Sequence, residues 1–196
     1  MRKVLKAFLL TILFYLFQVC LMQHLKIYGV VGNLLAVNIA IATVSLGKKY
    51  AFGTSCLSGI LLEAMTSSVG GLYVVLYPVF GMVFAQVFAD MSDEKREKLL
   101  LRQSDSTKKI RGDLNPHIRI PLDAMCIDAG IEAVLLIYVT LSGTEISYVL
   151  FTRALVSILY TGALAAVLMF PTRAFLHMYG GKIRRATVEE KQEERA

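Results

Sequence analysis

The chain has 196 residues, of which 56% are hydrophobic and 18% carry a charge. Soluble domains usually contain about 45–50% apolar residues even when glycine is counted, and about 25% charged residues. This composition excludes a disordered chain, a small disulfide-stabilised module and an ordinary soluble enzyme domain. It predicts a polytopic membrane protein.

Six apolar segments approach the roughly 20 residues that a helix needs to cross a bilayer core about 30 Å thick. Irregular backbone cannot face lipid, so each segment is predicted to be an α-helix. The predicted spans are Val4–Met22, Val30–Leu46, Tyr50–Met65, Leu72–Ala89, Ile120–Leu141 and Tyr148–Phe170. The predicted fold class is therefore all-α, with residues 1–181 forming a bundle of six transmembrane helices.

The placement of the basic residues predicts the orientation of the bundle. The net charge is +6, and the chain contains 21 lysines and arginines. With six spans and a cytoplasmic N-terminus, 19 of the 21 fall on the cytoplasmic side. Because cytoplasmic loops of membrane proteins are enriched in lysine and arginine, both termini are predicted to be cytoplasmic. The charge is thereby assigned to membrane topology, and no nucleic-acid partner is expected.

Two polar segments lie outside the predicted spans. The loop Asp90–Arg119 joins the fourth and fifth spans on the cytoplasmic side, and Lys182–Ala196 forms a charged cytoplasmic tail. The loop is interpreted as a solvated tether between two halves of the bundle. A docking site for a cytoplasmic partner or for anionic lipid headgroups is the alternative, and the sequence does not choose between them.

No motif in the sequence predicts an enzyme. The phosphate-binding pattern GxxxxGK[ST], the zinc pattern HExxH and the nucleophile pattern GxSxG are all missing. Asp123 and Asp128 lie on one predicted helix, about 140° apart around its axis, so they cannot form a catalytic pair by themselves. We therefore expect no catalytic activity, no metal site and no cofactor.

Ionisable side chains inside the predicted spans are the first candidates for a site, because such groups are costly in hydrocarbon. Asp128 and Glu132 are four residues apart and share one face of the fifth helix. Glu63 and Arg153 are expected near the external boundary, at a similar depth to Glu132. A salt bridge from Arg153 to Glu132 or Glu63 is one hypothesis, and a proton or ion relay through the same residues is the other.

Small residues at fourfold spacing are the second pattern. The fourth span carries Gly81, Ala85 and Ala89 on one face, and the sixth carries Ser157 and Thr161. Such stripes allow close helix packing within a bundle, or they receive the helix of a partner protein. The face of Gly81, Ala85 and Ala89 is the predicted candidate for partner contact.

The turn between the third and fourth spans contains hydroxyl side chains and glycines. Gly59, Glu63 and Gly71 are expected to set this external hairpin, because glycine permits the positive φ of a tight turn.

These residues together resemble a known family, the rod shape-determining protein MreD. The resemblance covers Asn33–Ala89 best, where Gly59 and Glu63 occupy the positions of a Gly-x-x-x-Asp turn and Gly71 that of a turn glycine. Glu63 stands where the family usually has aspartate. The C-terminal segment Leu164–Tyr179 is similar to the family in character.

The resemblance implies a non-catalytic scaffold of the cell-wall elongation machinery in the bacterial inner membrane. It implies binding to the single-span protein MreC, and a link to MreB filaments, a RodA-type polymerase and a penicillin-binding transpeptidase. The alternative from another class is the substrate-binding S component of an energy-coupling-factor vitamin transporter. Such components also have six helices in about 200 residues, but they need an external pocket rich in aromatic and polar side chains. The short external loops here favour the scaffold.

Overall fold

The computed structural model describes residues 2–66, 70–89, 115–143 and 148–176. Within these ranges the backbone forms six α-helices and no β-strand, which confirms the all-helical fold class. The helices are α1 (Arg2–Cys20), α2 (Leu34–Leu46), α3 (Lys48–Thr66), α4 (Leu72–Phe88), α5 (Pro116–Leu141) and α6 (Tyr148–Phe175). Most of the predicted loop Asp90–Arg119 and the whole predicted tail Lys182–Ala196 lie outside the described residues.

Helix length and composition do not support six full-length spans. Among the helices in the described residues, only α5, from His117, and α6 are long and apolar enough to cross a membrane, with 25 and 28 residues. Three further helices are apolar but shorter than 18 residues, namely Val4–Cys20, Leu34–Leu46 and Leu72–Phe88. Helix α3 has 19 residues, but its lysines, serines and glycines lower its hydropathy. The two long helices therefore indicate membrane association, although weakly.

The neighbours of α2 show that this helix begins halfway along α5 and α6. Its N-cap residue, Asn33, contacts Asp128 and Thr161. Asp128 lies near the middle of the 26-residue α5, and Thr161 near the middle of the 28-residue α6. With 13 residues and a rise of about 1.5 Å per residue, α2 extends for only about 20 Å.

The chain before α2 forms a turn where the sequence predicts the start of a span. Tyr28 and Gly29 have positive φ angles of 52° and 76°, and Ile27 and Val30 exchange two backbone hydrogen bonds of 3.0 and 2.9 Å. The predicted span Val30–Leu46 is therefore too long at its N-terminal end. The reason is local, because a left-handed pair at residues 28–29 reverses the chain and Asn33 then caps the helix.

Helix α2 occupies the centre of the molecule. Every residue from Leu34 to Val44 is buried, so the helix is covered on all sides. The outer helices, in contrast, each leave large apolar side chains exposed. On α1 these are Val4, Leu5, Phe8, Leu9, Leu13, Leu16 and Phe17.

Close approach between helices depends on glycine at several crossings. A Cβ atom added to Gly59 on α3 would lie 2.6 Å from the Tyr73 carbonyl oxygen on α4, and one added to Gly81 would lie 2.8 Å from Ser55 Cβ on α3. On the other side of the bundle, the rings of His117 and Phe170 stack 5.4 Å apart, so α5 and α6 run antiparallel.

The bundle has two ends, which we call the turn end and the loop end. The turn end carries the connections from α1 to α2, from α3 to α4 and from α5 to α6. The loop end carries Gly47 between α2 and α3, together with the start of α1, the end of α4, the start of α5 and the end of α6. The positive-inside count predicts that the turn end is external.

Candidate functional site: a buried polar cluster at the start of α2

Asp128 on α5 is the centre of a buried hydrogen-bond cluster. Its side chain is 1% exposed. Asn33 Nδ2 donates to Oδ1 at 2.8 Å, and the hydroxyls of Ser157 and Thr161 donate to Oδ2 at 3.1 and 2.9 Å. A buried carboxylate is costly unless it is hydrogen-bonded, and these three donors offset that cost.

Asn33 connects this carboxylate to the start of α2 and to α4. Its Oδ1 accepts from the backbone N–H of Ala36 at 3.1 Å, which is the bond of a helix N-cap. The same oxygen accepts from the Tyr77 hydroxyl on α4 at 3.0 Å. Tyr77 is 2% exposed, so its hydroxyl needs this partner in the core.

Backbone N–H groups at the N-terminus of α2 that have no acceptor within the helix also find partners on neighbouring helices. The N–H of Leu34 donates to Gln18 Oε1 on α1 at 2.7 Å, and the N–H of Asn33 donates to Thr161 Oγ1 at 2.9 Å. A helix N-terminus carries a partial positive charge, which favours a carboxylate beside it. The N-terminus of α2 therefore stabilises the Asp128 carboxyl group, and Asp128 in turn stabilises the start of α2 through Asn33.

The hydrogen bonds of this cluster have a consistent direction. The Tyr77 hydroxyl donates to Asn33, Asn33 donates to Asp128 and Thr161, and Thr161 donates to Asp128. The sequence of donors ends at the Asp128 carboxyl group, which accepts from Asn33, Ser157 and Thr161. The arrangement fixes four helices (α2, α4, α5 and α6) relative to one another.

The residues predicted to set the external hairpin do meet. Glu63 Oε1 accepts from the Gly71 N–H at 2.7 Å, and Oε2 accepts from the Tyr73 N–H at 3.2 Å. Gly71 has a φ of 91°, and Gly59 lies against the backbone of Tyr73. Glu63 therefore binds the N-terminus of α4, where a carboxylate is favoured and the backbone donors lack helical partners.

The stripe predicted for partner contact faces the interior of the chain. Gly81 packs against Ser55 and Ile39, and Ala85 is 1% exposed. Ala89 follows the last residue of α4 and is half-buried. A partner helix has no access to Gly81 or Ala85 without separating α4 from α3, so the structure corrects this expectation. The small residues serve close packing inside the bundle.

Arg153 does not join the acids with which the sequence pairs it. Among the described residues no carboxylate lies within ion-pair distance of its guanidinium. Glu63 binds the backbone of α4, as stated above, and Asp128 binds Asn33, Ser157 and Thr161. Glu132 is half-buried and lines the same cavity of about 310 Å³ as Arg153. The two charges therefore share a cavity without forming a salt bridge.

Asp123 stands apart from the cluster. It is 0% exposed, and neither of its carboxylate oxygens has a hydrogen-bond partner. Its nearest opposite charge belongs to Arg119, one helical turn earlier on α5 and 7% exposed. In the ranges that the structure describes, no three His, Cys, Asp or Glu side chains come together as metal ligands do.

Sequence reasoning found Asp128 but missed most of its partners. Ser157 and Thr161 were predicted as members of a small packing stripe, whereas their hydroxyls bind the carboxylate. Tyr77 and Gln18 carried no signal, because a single aromatic or amide in an apolar segment is usually a packing residue. The cap preference of Asn33 was the only local feature that pointed to this cluster.

The fold and the cluster define a class of protein. It is an all-helical chain with two helices long and apolar enough to cross a membrane, and with a hydrogen-bond cluster around Asp128 buried between its helices. No family model matches the chain, and the comparisons with curated proteins and with solved structures find no match either.

Proposed function

We propose that the chain is a multi-pass protein of the bacterial inner membrane, with six helices in the bilayer and both termini cytoplasmic. In this proposal it is a non-catalytic scaffold of the cell-wall elongation machinery. Its direct partner is an MreC-like single-span protein. Through this partner it is linked to MreB filaments, a RodA-type polymerase and a penicillin-binding transpeptidase.

The exposed surface supports the membrane part of the proposal. Large apolar side chains are exposed on α1, on α4 and on α6, including Leu9, Val83 and Leu159. Such a surface suits contact with lipid rather than water. The shortness of α2 does not contradict a membrane location, because this helix is covered by protein and needs no contact with lipid.

The single observation that carries the scaffold proposal concerns the residues that resemble MreD. Asn33 caps α2 and binds Asp128, Gly59 allows α3 to touch α4, and Glu63 binds the N-terminus of α4. Asn33, Gly59 and Glu63, which carry the resemblance, therefore all lie at contacts between helices. The side chains of Asn33 and Glu63 bond within the bundle and hold helices together, which is consistent with a scaffold.

A partner helix would contact the outward faces of the bundle, since the Gly81 stripe is buried. Helix α4 offers such a face, on which Val79, Met82 and Val83 are exposed. Apolar side chains on this face could pack against the single transmembrane helix of a partner without disturbing the contacts of Asn33, Gly59 and Glu63.

Co-purification from the native membrane tests the proposal. The full chain carries an affinity tag and is recovered in mild detergent, and its companions are identified by mass spectrometry. We expect an MreC-like protein and other wall-elongation proteins. In a second arm, Val83→Arg on the exposed face is compared with Val167→Arg, a still more exposed position on α6. The first should reduce partner recovery while the second should not.

Recovery of ATPase and transmembrane coupling subunits would replace this proposal with the S component of a vitamin transporter. One observation favours that second candidate. The cavity beside Glu132 and Arg153 opens at the turn end, where such a component would bind its substrate. Recovery of neither set of proteins from membranes in which the tagged chain is intact would contradict both functions.

A further inference from the structure

A groove at the turn end of the bundle places one cation between apolar walls. Two cavities of about 430 and 310 Å³ adjoin there and share Val30 and Arg153 as lining residues. We call this surface the Arg153 groove. Ligand-binding cavities usually have volumes of about 300–1,000 Å³, so either cavity is large enough for part of a small molecule.

The walls of the Arg153 groove are mostly aliphatic. The larger cavity is lined by Val30, Val149 and Val156, with Tyr28 and Tyr148 at its edge. Both tyrosines are more than four-fifths exposed. Tyrosine is enriched where membrane proteins cross the boundary between lipid and water, because its ring is apolar and its hydroxyl is polar. The groove thus has the character of an interface rather than of a hydrophobic core.

The backbone on one side of the groove is not helical. Residues 27–30 form the turn in which Tyr28 takes a positive φ, an uncommon conformation for a residue other than glycine. Within a membrane, irregular backbone is tolerated where protein covers it or where it lines a cavity that holds polar groups. The hydrogen bond of 2.9 Å from the Tyr160 hydroxyl to the Leu25 carbonyl holds this segment against α6.

Arg153 lies five residues after the first residue of α6, about 7.5 Å along the helix axis. Its guanidinium is exposed and has no carboxylate partner in the described part of the chain. An arginine next to lipid is costly unless an anion binds it, and planar guanidinium groups bind phosphate with two parallel hydrogen bonds. The anion nearest to an arginine at the boundary of a membrane is a lipid phosphate.

We propose that the Arg153 groove binds a phospholipid. The lipid phosphate pairs with the Arg153 guanidinium, and part of an acyl chain lies along Val149 and Val156. This inference depends on the membrane location in the proposed function, but it does not depend on the scaffold role.

Native mass spectrometry of the full chain in detergent micelles tests the proposal. Phosphatidylglycerol is titrated against a digalactosyl lipid that has the same acyl chains and no phosphate. We expect the purified chain to retain phosphatidylglycerol and to retain the galactolipid at least about tenfold less well, because the charge-assisted contact is lost. Inorganic phosphate at millimolar concentration should not displace the phospholipid.

Four variants identify the cation responsible. Arg153→Gln should lower phosphatidylglycerol retention about tenfold, and Arg153→Lys should restore most of it, because it keeps the charge. Lys26→Gln removes the other cation predicted at this end, which lies outside the groove, and should have no effect. Glu132→Gln removes a negative charge from the smaller cavity and should leave retention unchanged or raise it.

Several results would overturn the proposal. Equal retention of the galactolipid would show a purely apolar groove, and displacement by inorganic phosphate would show a site for free anions. Unchanged retention in Arg153→Gln would exclude Arg153 as the phosphate partner. If this variant instead lost only the MreC-like protein, the groove would be a protein contact. Loss of the lipid in Arg153→Gln with intact partner recovery would instead support the lipid site and show that it is independent of the scaffold role. Failure of the wild-type chain to retain phosphatidylglycerol, with intact partner recovery, would overturn the lipid site and leave the scaffold role.

Discussion

Asp128 and Asp123 lie five residues apart on α5 and are equally buried, yet their surroundings differ completely. Asp128 accepts hydrogen bonds from Asn33, Ser157 and Thr161. Asp123 has no hydrogen-bond partner for either oxygen. Asp128 therefore links α5 to α2 and α6 by hydrogen bonds, whereas Asp123, about one and a half turns nearer the loop end, has no hydrogen-bond partner.

The difference follows from the side chains around each carboxyl group. The three donors to Asp128 are all side chains, namely the Asn33 amide at the start of α2 and the Ser157 and Thr161 hydroxyls on α6. At Asp123, no group in the described residues donates to either oxygen. Because α2 starts at the level of Asp128, its N-cap amide reaches this buried acid.

The largest expected effect is at Asp128. Replacing it with alanine leaves the donors of Asn33, Ser157 and Thr161 without an acceptor. We expect the free energy of unfolding to fall by about 3 kcal/mol or more, since each buried donor left unpaired costs about 1–3 kcal/mol. Reversible denaturation in mixed micelles measures this change. A loss no greater than that of Asp123→Ala would remove the distinction between the two aspartates.

A second prediction uses two glycines of α3. At Gly59 a methyl group would meet the Tyr73 carbonyl oxygen at 2.6 Å, whereas at Gly53 it would meet nothing within 4 Å. We expect Gly59→Ala to destabilise the bundle by about 1–3 kcal/mol. Gly53→Ala should stabilise it by about 0.5–1 kcal/mol, because alanine is the better helix former. Thermal unfolding of both variants under one condition measures the opposite signs, and the same sign would show that α3 and α4 are not this close.

A third prediction concerns Glu63, the acid at the start of α4. It tests whether the N-terminus of α4 is stabilised by a carboxylate, as the start of α2 is by Asp128. Glu63→Gln keeps the shape but loses the charge that binds the N–H groups of Gly71 and Tyr73. We expect a loss of about 1 kcal/mol, typical of a helix cap together with the favourable helix dipole. Glu63→Asp is the control for reach. If Glu63→Gln matched the wild type, the carboxylate would not be needed to begin α4.

Asp123 should respond in the direction opposite to Asp128. Asp123→Asn replaces a buried carboxyl group that has no hydrogen bond to lose, so the free energy of unfolding should be unchanged or should rise by about 0.5 kcal/mol. The same denaturation experiment measures it, with Asp128→Asn as the matched control. A large loss in Asp123→Asn would indicate a partner for this carboxylate beyond the described residues.

The smallest effect is expected for Arg153 and Glu132. Because these charges share a cavity without an ion pair, Arg153→Glu and Glu132→Arg should show little coupling, about 0.5 kcal/mol or less. The double variant should then equal the sum of the single variants. Mutual rescue in a double-mutant cycle would instead establish the salt bridge that the sequence suggested.

The sequence by itself determined the helical class of the protein. Long apolar segments with few charges specify helices, since backbone groups must be satisfied locally in an apolar environment. All six predicted segments overlap their helices over most of their length. The predicted boundary that is wrong is the start of Val30–Leu46, because a turn and a cap at residues 28–33 delay the helix to Leu34, and such local geometry is weakly encoded in hydropathy.

The tertiary structure alone decided what each polar residue does. Asp128 is bonded to residues 95 positions before it and 33 positions after it, and no periodicity in one segment can reveal such pairings. The Gly81 stripe is compatible with an open or a covered face, and it is covered because α2 and α3 pack against α4 at Gly81. Helical periodicity fixes which residues share a face, while the choice of neighbour for that face depends on contacts between segments far apart in the chain.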